Sequence, residues 1–171
     1  MLNSPRHPMY NDAELRRAID AAGFDAVVAR SGRNVAYLSG MRFPGTLGRL
    51  QDFAHSPRAA LLIWPAEGEP TLVASQIAAA LARRVSWLDD IRPFTEYVES
   101  PYTLAARVVR DLGLGHGRIG VERREFGAAQ WDEFRTELPS AQLIDCTDLL
   151  EGVRNLKTPG ELALLRQAAQ L

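Results

Sequence analysis

Side chains able to bind a metal or move a proton are few and scattered in this sequence. The three histidines, His7, His55 and His116, lie far apart, and none has a histidine four residues on or a paired cysteine. Protein zinc sites draw on more closely spaced ligands. His55 alone shares its neighbourhood with other polar groups, Arg42, Arg49 and Asp52. The single cysteine, Cys146, follows Ile144-Asp145 with no adjacent base, so it reads as a small buried hydrophobe rather than a nucleophile. Asp89, Asp90 and Glu122 could serve as acid and base, but nothing in the sequence pairs the two regions, and exposed carboxylates are the ordinary case. Ser31-Gly32 and Ser39-Gly40 form no G-x-S-x-G elbow. Gly115-His116-Gly117-Arg118-Ile119-Gly120 matches the dinucleotide pattern G-x-G-x-x-G. That chemistry requires the glycines between a strand and a helix, with the pyrophosphate at the helix N-terminus. Here they follow a helix and lead into a strand, so they read as a turn.

The elements that carry these residues alternate between the two periods. Asn11 with Glu14 forms a capping-box signature, Leu15, Ala18, Ile19 and Ala22 recur at helical spacing, and Gly23 is the stop. Residues 24–29 read as a buried strand and 33–40 as one or two helical turns. Residues 41–57 show no period, and long irregular stretches in compact domains are commonly functional. Residues 58–64 and 71–74 form an apolar hairpin across a Pro-bounded turn. Ser75 caps a helix through Ile77, Ala80 and Leu81 to about Arg84, followed by short strands near 85–87 and 91–94. Ser100-Pro101 opens a helix with an apolar stripe from Leu104 to Leu112, ended by Gly113. A strand over 118–122 precedes a helix bearing Ala128, Trp131, Phe134 and Leu138, whose aromatic stripe reads as core. A strand over 141–145 and a helix over 147–153 follow. Finally, Thr158-Pro159-Gly160-Glu161 is a capping box that opens a helix with Leu162, Leu165 and Ala169 on one stripe. The alternation predicts an α/β fold, a mixed sheet covered by helices on both faces. That last helix begins well and meets the end of the sequence without a turn, which suggests a longer parent chain.

Bulk composition narrows the classes. The 171 residues are 46% hydrophobic and 24% charged, enough for one domain with its own core. Twenty basic residues against twenty-one acidic ones leave a net charge of −1. The charge excess that drives nucleic-acid binding is missing. One cysteine excludes an internal disulfide framework and favours a cytoplasmic setting. The N-terminus has no apolar core, so it is no signal peptide. The longest uncharged stretch, from Thr71 to Ala82, is too short to span a bilayer. No membrane partner is expected.

Four segments, in order, resemble the N-terminal domain of the creatinase, prolidase and aminopeptidase P family, the M24 or pita-bread metallohydrolases. They are Gly23-Phe24-Asp25-Ala26-Val27-Val28 with Asn34-Val35-Ala36-Tyr37-Leu38-Ser39-Gly40; the Ala60-to-Trp64 strand with Thr71-Leu72-Val73; Arg118-Ile119-Gly120-Val121-Glu122; and Leu149-Leu150 through Val153-Arg154, Lys157-Thr158-Pro159 and Glu161-Leu162 to Ala169. The likeness runs from about Asn11 to Leu171. Gly160 departs from it, standing where the family more often has an acidic residue.

The resemblance implies a ribonuclease H-like three-layer domain over residues 11–154, after a flexible lead-in over 1–10. Residues 155–171 would then begin the first helix of a C-terminal catalytic domain. In the family that second domain holds two divalent metal ions (Mn, Zn or Co) through two Asp, one His and two Glu, none of which this chain supplies. The chain alone is therefore expected to hydrolyse nothing and to hold no cofactor or metal. The implied parent is a cytoplasmic, homodimeric Xaa-Pro aminopeptidase or dipeptidase, in which this domain supports dimerisation and shapes the substrate entrance. Its partners would be its own catalytic domain and a peptide or small-molecule substrate. Tyr37, Arg42, Phe43 and His55 are the entrance candidates. Arg42 could pair with a substrate carboxylate, and Tyr37 and Phe43 could form apolar walls. Alternatively Tyr37 packs inward and Asn34 bonds nearby backbone. A creatinase-like C–N hydrolase, a lyase on the same fold, and a free-standing α/β binding module are the competing expectations.

Overall fold

Apolar residues alternate sides along the central strands, and that alternation builds a three-layer architecture. The structure, a computed structural model, describes residues 10–30, 32–41 and 59–170. The elements run α1 (Asp12–Ala22), β1 (Ala26–Ala29), α2 (Gly32–Ser39), β2 (Leu61–Pro65), β3 (Thr71–Ser75), α3 (Gln76–Val85) and β4 (Asp90–Phe94). They continue with α4 (Pro101–Asp111), β5 (Arg118–Val121), α5 (Ala128–Thr136), β6 (Gln142–Asp145), α6 (Thr147–Asn155) and α7 (Pro159–Ala168). The six strands form one sheet in the order β4-β3-β2-β1-β5-β6. β2 runs antiparallel to both neighbours, while β1–β5, β5–β6 and β3–β4 are parallel pairs. The expected mixed sheet with helices on both faces is what the structure shows.

Period-two burial divides the core. Val27, Ala29, Leu62, Trp64, Leu72 and Ala74 face a layer made by α1, α2, α3 and α6. Ala26, Val28, Leu61, Ile63, Val73, Ile119 and Val121 face α4 and α5, where Phe134 is fully buried and Trp131 packs at the margin. Gly120 points into the first layer, where a Cβ would come within 2.9 Å of the Phe24 ring and 3.0 Å of Cys146 Cβ. Only glycine fits there.

Local chemistry sets the helix ends. Asn11, Ser75, Ser100 and Thr158 each accept a backbone N–H from the first turn that follows, and Gly23 ends α1 at φ 63°. Two expectations need correction. At α1 the Glu14 carboxylate pairs with Arg17 instead of reaching back to the cap. No strand forms over 85–87: α3 extends to Val85, and the Ser86 hydroxyl and Trp87 indole donate to the carbonyls of Ser39 and Leu38. Those side chains satisfy the end of α2, which sets this segment as a cap rather than a ladder. On α3 the inward residues are Ala78, Ala79 and Ala82, while Ile77 is 64% exposed; small side chains let this helix lie close on the sheet. The lead-in over 1–9 and the irregular segment over 42–58 lie outside the described residues.

Candidate functional site

Because β2 alone among the described strands is reversed, the C-terminal ends of β1, β3, β4, β5 and β6 share one edge of the sheet. β1 hands the chain to α2 on one face, and β5, its parallel neighbour, hands it to α5 on the other. Adjacent parallel strands whose connections diverge open a crevice, and open α/β sheets bind their ligands at such crevices.

Here the crevice is filled from within. Glu122, the residue after β5, is 1% exposed, and so is Asn34 in the first turns of α2. The Glu122 carboxylate accepts the Arg30 backbone N–H at 2.7 Å on one oxygen and the Asn34 side-chain N–H at 2.6 Å on the other. Its own backbone N–H donates to the Val28 carbonyl at 3.0 Å. A carboxylate at the start of a helix meets unpaired N–H groups and the positive end of the helix dipole. Glu122 thus takes the position an exogenous anion would occupy. Asn34 also reaches outward, its Oδ1 accepting from Arg154 Nη1 at 3.1 Å. Asn34 thus bonds two distant side chains, and the reading of Glu122 as an ordinary exposed carboxylate is corrected. Parallel pairing of β1 with β5, across about ninety residues of sequence, sets the two groups face to face. A charged residue directly behind an apolar strand was the available signal; its partner was not visible without the pairing.

The other chemistry-bearing residues do not join this cluster. Asp90 accepts from Thr71 and Arg92 at the start of β4, with three strands between it and β5 and away from Glu122. Cys146 is buried against Gly120, and burial, reinforced by the negative charges of Glu122 and Asp145, pushes its thiol up. It stays protonated and unreactive at neutral pH. His116 borders a shallow depression with Arg110, Gly115, Glu137 and Pro139, where Arg110 is already paired with Glu137. The glycine pattern around it is a turn closed by Gly117 N–H donating to the Leu114 carbonyl, as expected. Among the described residues, no three His, Cys, Asp or Glu come together to hold a metal, and no helix is long and apolar enough to cross a membrane.

Of the entrance candidates, Tyr37 is half-buried on α2. Its hydroxyl accepts the Asn11 backbone N–H at 2.9 Å, and its ring meets Tyr10 edge-on at 6.5 Å. Burial pushes the pKa of its hydroxyl up, against ionisation; the Asn11 N–H opposes that, and the nearby Glu161 carboxylate adds to it. Arg42, Phe43 and His55 lie outside the described residues.

The family described as the Creatinase/Prolidase N-terminal domain matches residues 13–156. An ectoine hydrolase of Halomonas elongata is 26% identical over 168 residues, covering 92% of this chain and 40% of its own length. A putative dipeptidase of Bacillus subtilis is 24% identical over 150 residues, covering 88% of this chain and 38% of its own. The chain thus spans about two-fifths of these curated relatives. Among solved structures, the Xaa-Pro dipeptidase from Bacillus anthracis superposes with a TM-score of 0.70 at 20% identity, over 92% of this chain and 39% of that one. At that identity the likeness speaks for the fold.

Proposed function

Because the chain belongs to the creatinase/prolidase N-terminal domain family, we propose that it serves as the non-catalytic N-terminal domain of a metal-dependent peptidase acting on Xaa-Pro bonds. The observation that carries this reading is the switch-point crevice: the place where an α/β sheet would bind a ligand is occupied by the chain's own Glu122. Chemistry must then come from elsewhere, and the relatives are more than twice as long as this chain. Among the described residues no three His, Cys, Asp or Glu come together, and the greater length of the relatives leaves room for a domain holding divalent metals outside this chain. Such metals activate water for attack on a scissile carbonyl. The present residues contribute a rigid scaffold, support a homodimer, and present Tyr37, Arg42, Phe43 and His55 towards the substrate entrance. The setting is cytoplasmic.

The test is to express the reading frame extended past Leu171 and assay it on Xaa-Pro peptides and on creatine, beside the 171-residue chain. The extended protein is expected to hydrolyse an Xaa-Pro peptide only with divalent metal, and the short chain to be inert. Tight binding of two metals per short chain would overturn the reading. A frame that ends near Leu171 would leave a free-standing binding module in its place. The likeness to an ectoine hydrolase favours a second reading, a hydrolase of non-peptide C–N bonds in the manner of creatinase. Activity on creatine, or on a cyclic amidine such as ectoine, without activity on Xaa-Pro peptides would select it.

A further inference from the structure

Among the described residues, none of α7 is buried, and Leu162, Leu164 and Leu165 are 39%, 48% and 53% exposed. A ten-residue helix without packing is marginal in water. Its capping box, Thr158 with Glu161, starts the helix but does not fix where it points. The approach to it is nonetheless tied to distant parts of the domain. Arg154, in the last turn of α6, donates to Asn34 Oδ1, and the same amide is held by Glu122 through its nitrogen. Asn11 Nδ2 donates to the Leu156 carbonyl at 2.9 Å, between α6 and α7. Asn11 is itself fixed by two further bonds, its backbone N–H to the Tyr37 hydroxyl and its Oδ1 from the Glu14 N–H.

These bonds join α1 and α2 to residues 154–156 across more than a hundred positions of sequence, with Glu122 at the end of β5 holding the Asn34 amide. Both contacts are directional hydrogen bonds, set beside the apolar packing of Leu150 and Val153 against α1 and α2. We propose that Asn34, oriented by Glu122, and Asn11, oriented by Tyr37, are positioning residues that set the direction in which α7 leaves the domain. Asn34 and Tyr37 thereby join the sheet's closed crevice to its exit helix. The inference rests on the proposed function only in what the latch is for, since a region following α7 would inherit its angle from these contacts.

The test uses the 171-residue chain. Asn11→Asp keeps the helix cap and removes the donor to Leu156; Arg154→Met keeps the aliphatic stem and removes the donor to Asn34. Backbone 15N relaxation and residual dipolar couplings report α7 order and its orientation against the sheet. In the wild type, α7 couplings are expected to fit the alignment tensor of β1 and β5. In each variant, and most in the double, they should depart from it, with order parameters for 160–168 falling below about 0.6 and amide protection there falling about tenfold. Sheet amides should keep their protection. A capping role alone would leave the orientation unchanged. Couplings for α7 that still fit the sheet tensor in both single variants would overturn the proposal, as would α7 already disordered in the wild type. Should the double variant lose sheet protection, the single variants decide. A frame with no catalytic region past Leu171 would remove the proposed function and leave this result standing.

Discussion

The crevice between β1 and β5 and the helix α7 invert the usual arrangement of a soluble domain. In the first, a carboxylate and an amide are buried to 1% exposure; in the second, three leucines stand in water. Buried charge is tolerated only when hydrogen-bonded, and Glu122 meets that condition with a backbone and a side-chain donor. Exposed leucines are unremarkable singly, but three within four residues of one short helix form a surface that a partner covers at little cost. One region satisfies its polar groups internally, and the other leaves apolar groups in water. The difference teaches that the two regions differ in kind: polar groups are sealed into the β1–β5 crevice by mutual hydrogen bonds, while α7 leaves its apolar side chains in solvent.

The largest effect should come from breaking the closed end. Glu122→Ala strands the Arg30 N–H and the Asn34 amide inside the protein, which should cost about 3–5 kcal/mol. Chemical denaturation of the two proteins would measure it. Glu122→Gln keeps one acceptor but turns an NH2 towards a donor, and should cost about 1–3 kcal/mol. If both variants were as stable as the wild type, the crevice would be solvated and available to a ligand after all. Next in size is Gly120→Ala, which sits one pleat before the crevice. Its new methyl would press on Phe24 and Cys146, an overpacking expected to cost about 1–3 kcal/mol by the same measurement.

How far these regions could be read beforehand follows from the range of their contacts. Strand alternation, the caps at Ser75, Ser100 and Thr158, and the reversed glycine turn at 115–117 are local, and each appears in the structure as the sequence suggests. Which face of α3 turns inward is decided by size rather than hydrophobicity, with alanines facing the sheet and Ile77 facing water, and the sequence period alone does not show it. The strand expected over 85–87 failed because Ser86 and Trp87 are claimed by the distant end of α2. Glu122 and Asn34 were each visible, but their meeting depends on a parallel pair formed across the whole β2–α4 insertion. Parallel pairing leaves no hairpin signature.

A pH-dependent effect refines the closed region further. Burial holds the Cys146 thiol protonated in the folded state, whereas in the unfolded chain it ionises near its ordinary value of about 8.5. The folded pKa is the higher, so this contribution to stability is whole below that pH and is lost as pH rises. Between about pH 8.5 and 10 the loss should approach about 1.4 kcal/mol per pH unit. Cys146→Ala should flatten that slope while lowering stability slightly at pH 7. An equal slope in both proteins would assign the effect to another group.

The smallest expected effect is the most telling for the open end. Leu162→Ser and Leu165→Ser remove apolar groups from α7, a change that in a packed core costs about 2–5 kcal/mol. On an exposed face the same changes should stay within about 0.5 kcal/mol. Their visible consequence should lie instead in association, since sedimentation at rising concentration would show less self-association once the leucines are gone. The comparison turns on this asymmetry between a large loss at Glu122 and almost none at Leu165. A loss of several kcal/mol at Leu165 would mean that α7 folds back on the domain in solution, and its leucines would then belong to the core rather than to an exposed face.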